Sequence, residues 1–100
     1  MDGIQLEIMW SNMISIVSDQ AKALKRTAFS PIVREAGDLA TALFDSHGRM
    51  VAQALTGTPG HINSLGAAAS KMLEVVPKSA LNVGDVLITN DPWLSAGHFF

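Results

Sequence analysis

Two aspartates and two histidines are the residues best suited to chemistry: Asp38, His61, Asp91 and His98. Asp38 precedes an apolar run, and His61 follows a Gly-containing stretch and opens a helical pattern. Asp91 closes a β-branched run, and His98 follows Gly97. Loops at element ends often carry sites, because a rigid scaffold positions what they hold. Carboxylate oxygen and neutral imidazole nitrogen form the hard and borderline donor set of a divalent metal. The intervals between the four match no local metal motif, so each also has an ordinary reading. Asp38 reads as a turn cap, Asp91 before Pro92 as an Asx turn, and His61 as a neighbour of a helix N-cap.

Other chemistries find less support. A Ser-His-Asp set can be written from Ser64, His61 and Asp91, but no Gly-x-Ser-x-Gly elbow surrounds the serine. Thr56 to Gly60 holds two glycines and no lysine, so it lacks the phosphate-cradling pattern of a P-loop or dinucleotide fold. Nothing in the chain is expected to bind ATP by itself. There is no Cys, which removes disulfides, a thiolate nucleophile and Cys-zinc sites, and fits a reducing cytoplasm. Seven Lys and Arg against nine Asp and Glu leave a net charge of -2, so no basic excess points to nucleic acid or an anionic membrane. No apolar run exceeds three residues; a transmembrane helix needs ~20 and a signal-peptide core about 7–15.

At 100 residues the chain is one domain at most, or a piece of one. It is 48% hydrophobic and 16% charged, which argues against disorder. With a mean hydropathy of +0.26, it carries more apolar surface than a lone domain this small needs.

Four elements must position the candidate residues. Leu6, Met9, Trp10, Met13, Val17, Ala21, Leu24 and Ala28 follow helical spacing and predict a long first helix with this stripe as its core face. Lys25 and Arg26 come late in it, where cations suit the macrodipole. Ser30-Pro31 should end it, because the residue before proline avoids the α region. Leu39 to Phe44 and Met50 to Ala54 read as two strands joined at Asp45-Ser46-His47-Gly48-Arg49, a hairpin with a solvated His47 at its tip. Ile62 to about Val75 reads as a second helix closed by Pro77. Val86 to Thr89 reads as a further, buried-type strand broken by Asn90-Asp91-Pro92. The order of helix, hairpin, helix and strand predicts an α+β or α/β class. The closing Gly97-His98-Phe99-Phe100 has no cap or polar tail, so the polypeptide is expected to continue past residue 100.

These landmarks resemble a known family. They are Leu6-Glu7-Ile8, Arg26-Thr27-Ala28-Phe29-Ser30, and Gly37-Asp38-Leu39 through Leu43-Phe44-Asp45, followed by Gly48-Arg49-Met50-Val51-Ala52-Gln53-Ala54, Thr58-Pro59-Gly60-His61 and Gly84-Asp85-Val86-Leu87-Ile88-Thr89-Asn90-Asp91-Pro92. In this order they resemble the N-terminus of the hydantoinase B/oxoprolinase family. That family comprises the beta-type subunit of N-methylhydantoinase, the C-terminal half of 5-oxoprolinase, and acetone- and acetophenone-carboxylase-like enzymes. Arg34-Glu35-Ala36-Gly37-Asp38 departs from the Glu-Arg-Arg-Asp that many members carry there.

The resemblance implies that residues 1–100 are the N-terminal part of a longer domain. It implies an ATP-dependent amidohydrolase opening a cyclic amide such as a hydantoin or 5-oxoproline, with a small-molecule substrate. ATP and Mg would sit on a hydantoinase A-type partner subunit, and a divalent Zn, Mn or Fe on this one. Asp38 and His98 are the implied metal ligands, with further ligands beyond residue 100. His61 is the implied acid/base, and Asp91 the residue that orders the loop presenting His98. The carboxylase type is the close alternative, and a non-catalytic scaffold the distant one.

Overall fold

Asp2 starts the first helix, α1 (Gly3–Thr27). Its carboxylate accepts a hydrogen bond from the Gln5 amide at 2.8 Å, and its own amide donates to Gln5 Oε1 at 3.2 Å. This reciprocal capping box satisfies donors that a helix start leaves orphaned. At the other end the Thr27 hydroxyl donates to the Ala23 carbonyl at 2.9 Å, and the Ala28 amide to that of Leu24 at 3.0 Å. The computed structural model describes residues 1–54 and 59–95, with the side chains of 59–61 excepted.

The helix ends at Thr27, ahead of Pro31, and the proline then opens a helix of its own, α2 (Pro31–Arg34). Proline suits that first position because its missing N–H would be an orphan anyway. Four residues are a single turn, too short for periodicity to reveal. Gly37, at φ +69°, turns the chain from α2 toward the hairpin.

The two strands are β1 (Ala42–Phe44) and β2 (Met50–Gln53), paired antiparallel. Leu43 faces Ala52 and Phe44 faces Met50, so Val51 is an extra residue that bulges the ladder. The first strand is therefore shorter than the expected run from Leu39. In the connecting loop Asp45 Oδ1 accepts from the His47 and Arg49 amides, both at 2.9 Å, and Oδ2 from Arg49 Nε at 2.8 Å. Gly48, at φ +78°, lets the chain reverse, and His47 is exposed at the tip as expected.

These bonds set a pH dependence. The Arg49 N–H above all holds the Asp45 carboxyl below its ordinary 3.8; desolvation opposes this, while the His47 N–H and the Arg49 side chain add to it. A depressed folded-state value means the loop gains stability above the ordinary value, and loses it as pH falls through the lowered one. An NMR titration should find the Asp45 carboxyl ionising below 3.8, with the Arg49 amide shift following it. A midpoint at or above the ordinary value would remove the loop's role as a carboxylate clamp.

The core lies where the C-terminal half of α1 meets the hairpin. Val17, Ala21, Leu39 and Ala54 are buried there, with Val33 and Leu43 packed against them. Buried Thr41 ties the layers together, its hydroxyl donating to the Val17 carbonyl at 2.7 Å. Thr41→Val keeps the shape and deletes the bond, so the full-length protein should lose about 1 kcal/mol. A denaturant midpoint equal to that of the wild type would show that the bond contributes nothing.

Two expectations are corrected. The first helix's apolar stripe is not a core face along its whole length. Leu6, Met9, Trp10 and Leu24 are exposed, Trp10 at 55% although it stands two turns before fully buried Val17 on the same stripe. The hairpin cannot cover a helix this long, so the N-terminal half stands clear. Val86 to Thr89 also forms no strand. A strand needs a hydrogen-bonded neighbour, and no described segment supplies one. Val86 and Ile88 are 84% and 94% exposed, while Leu87 turns toward Met72 in a small apolar groove.

The remaining helix, α3 (Pro59–Val75), starts at a proline and ends before Pro77, after which residues Lys78–Ala80 make a single 3-10 turn. It lies against the hairpin through Leu73, whose methyl would come within 3.2 Å of a Cβ placed on Gly48. Helices together with a two-stranded antiparallel sheet make the class α+β. Among the described residues no helix is long and apolar enough to cross a membrane.

Candidate functional site

Asp38 sits between α2 and β1, half-buried and held from both sides. Its amide donates to the Ile32 carbonyl of α2 at 3.1 Å, and the next residue, Leu39, is part of the core. The Leu39 amide also donates to the Gly37 carbonyl at 2.8 Å, closing a three-residue turn centred on Asp38. The hydrophobic anchor at 39 and the tie at Thr41 thus fix an anionic residue at the edge of the packed layer.

Asp91 is placed differently. Its Oδ1 accepts from the Trp93 amide at 2.9 Å, and its own amide donates to Thr89 Oγ1 at 3.0 Å. Its carbonyl accepts from the amides of Leu94 and Ser95 at 3.2 and 3.1 Å. This is an Asx turn, in which the carboxylate organises the loop that leads toward residue 98. His61 falls in the first turn of α3, with its side chain outside the described residues, and His98 lies outside them altogether. Among the described residues no three His, Cys, Asp or Glu side chains converge. The donor chemistry of Asp38, a half-buried carboxylate on an anchored turn, suits a hard or borderline divalent ion.

A second feature escaped the sequence reading. Lys22, Lys25 and Arg26 share one face of α1 at helical i, i+3 and i+4 spacing. The turn after α1 brings Arg34 of α2 to the same place, and the four cations line one shallow concavity of about 360 Å³. The spacing on α1 was visible in the sequence, but the arrival of Arg34 was not. Lys25 Nζ would lie 3.7 Å from a Cβ on Gly37, so this lysine stands beside the turn that follows α2.

The sequence that folds into this frame matches a known family model. The model of the hydantoinase B/oxoprolinase family covers residues 2–100, and the chain belongs to that family. A 5-oxoprolinase from Saccharomyces cerevisiae is 35% identical over 97 residues, 97% of this chain and 7% of that protein. An uncharacterized protein from Methanocaldococcus jannaschii is 29% identical over 100 residues, 98% of this chain and 18% of its own length. A candidate B-type subunit of a D-/L-hydantoinase from Pseudomonas sp. (strain NS671) is 24% identical over 99 residues, 97% of this chain and 17% of its own. The chain thus spans less than a fifth of each of these relatives. No solved structure matches it significantly.

Proposed function

We propose that this chain belongs to the metal-dependent part of an ATP-dependent amidohydrolase that opens a cyclic amide, such as a hydantoin or 5-oxoproline, in the cytoplasm. Family membership across residues 2–100 carries the reading, supported by relatives named as a 5-oxoprolinase and as a hydantoinase B-type subunit. A lactam or hydantoin carbonyl is a poor electrophile, so activation at the expense of ATP suits the reaction. As the family resemblance implies, ATP and Mg would sit on a hydantoinase A-type partner, and the present 100 residues hold no phosphate-cradling glycine loop with a lysine.

Asp38 and His98 would hold a divalent Zn, Mn or Fe. Such an ion, when bound, supplies Lewis acidity toward an oxygen. The half-buried carboxylate of Asp38 offers an oxygen donor, and the core contacts of Leu39 keep its turn in place. His61 would take up or deliver the proton that ring opening requires, and imidazole suits that role near neutral pH. Asp91, through its Asx turn with the Trp93 amide, would order the loop that leads toward His98.

The test is ATP turnover by the full-length subunit with its partner. The substrates offered would be 5-oxoproline, a hydantoin, and a ketone with bicarbonate. Turnover stimulated by a cyclic amide supports the reading. Stimulation only by the ketone with bicarbonate would replace it with the acetone carboxylase type, and stimulation by none of them with a scaffold role.

A further inference from the structure

We propose that the concavity between α1 and α2 binds a phosphate-type oxyanion, either free or carried on a small molecule. Four of the chain's seven Lys and Arg meet there: Lys22, Lys25, Arg26 and Arg34. The chain as a whole has a net charge of -2, so this positive cluster is a local feature. The helix macrodipole explains only part of it. The C-terminus of α1 carries roughly half a negative charge, and Lys25 and Arg26 in its last turn more than offset that. Lys22 lies a turn earlier, and Arg34 comes from a different helix.

Like charges brought together repel one another. All four side chains that line the concavity are cationic. A positive surplus therefore remains, and a bound anion relieves it. Two guanidinium groups offer planar, paired donors that match phosphate oxygens, and two ammonium groups add point charges. A single added carboxylate would leave much of that surplus in place, so a multiply charged oxyanion fits better. The volume of about 360 Å³ accommodates such a group. The site is open to solvent, so its affinity should be modest and sensitive to salt. The inference does not depend on the proposed reaction.

The test is calorimetric titration of the full-length protein with pyrophosphate, inorganic phosphate, glycerol phosphate and the dicarboxylate glutarate. A chelator is present, so that no metal-bound phosphate contributes. Saturable pyrophosphate binding is expected, weakened about tenfold or more in K25Q/R34Q and by raising salt from about 0.05 to about 0.2 M. Glycerol phosphate binding more tightly than inorganic phosphate would assign the site to a phosphorylated small molecule, and the reverse to the free ion. If K25Q/R34Q does not fold, K22Q/R26Q takes its place, with circular dichroism as the check. No saturation up to about 10 mM, unchanged affinity in a folded double variant, or glutarate binding as tightly as pyrophosphate would each overturn the proposal.

Discussion

On the proposed function, Asp38→Ala and His98→Ala, each made in the full-length protein, are expected to lower divalent-metal content and cyclic-amide turnover to a small fraction of the wild type. Changing residues that merely orient metal ligands already costs about 10–100-fold in affinity or activity, so removing a ligand should cost more. Fold should survive in the Asp38 variant, because the neighbouring anchors remain. Leu39 stays in the core, and the residue-38 amide still reaches the Ile32 carbonyl. Metal analysis of the purified proteins, alongside circular dichroism, decides the matter. Wild-type metal occupancy in both variants would refute the assignment. A full-length structure with the two side chains facing apart would do the same, since both must reach one ion through bonds of ~2.0–2.2 Å.

The second large effect concerns the uncovered half of α1. Produced as 100 residues alone, the chain is expected to self-associate and to melt without a sharp transition. Ile4, Leu6, Ile8, Met9 and Trp10 are all exposed within two turns of helix. They point in several directions, and a helix apolar all round is normally buried. Leu6 and Trp10 continue the stripe that buries Val17 and Ala21, so α1 presents a core surface with no core against it. Contiguous apolar patches of this kind drive association. Trp10→Glu should move the 100-residue chain toward monomer in sedimentation experiments. In a full-length protein where the helix is covered, the same change should destabilise by several kcal/mol, because it buries an unpaired charge. A monomeric, cooperatively melting 100-residue chain would contradict this account.

Much of the local structure was legible from the residues. Helical spacing located α1, an Ala- and Leu-rich run closed by Pro77 located α3, and Gly48 between apolar runs located the hairpin. These features depend on hydrogen bonds and backbone angles spanning a few positions, as the Asp2–Gln5 box and the Asp45 loop show. Asp38, Asp91, His61 and His98 were visible as chemistry because residue type alone gives donor character. The family landmarks added an order that no single motif carries.

What escaped the sequence depends on which surfaces meet. Val86 to Thr89 has strand propensity, yet becomes a strand only with a neighbour to pair with. The stripe on α1 is continuous in sequence, yet a short hairpin covers only the half that holds Val17 and Ala21. Arg34 joins Lys22, Lys25 and Arg26 because Pro31 starts a one-turn helix that folds back beside α1. By itself the sequence determined the two long helices, the hairpin and the family, since these follow from local residue pattern and ordered motifs. Only the tertiary structure decided which apolar face is buried and which charges share a concavity, because burial and charge proximity are properties of two surfaces in contact.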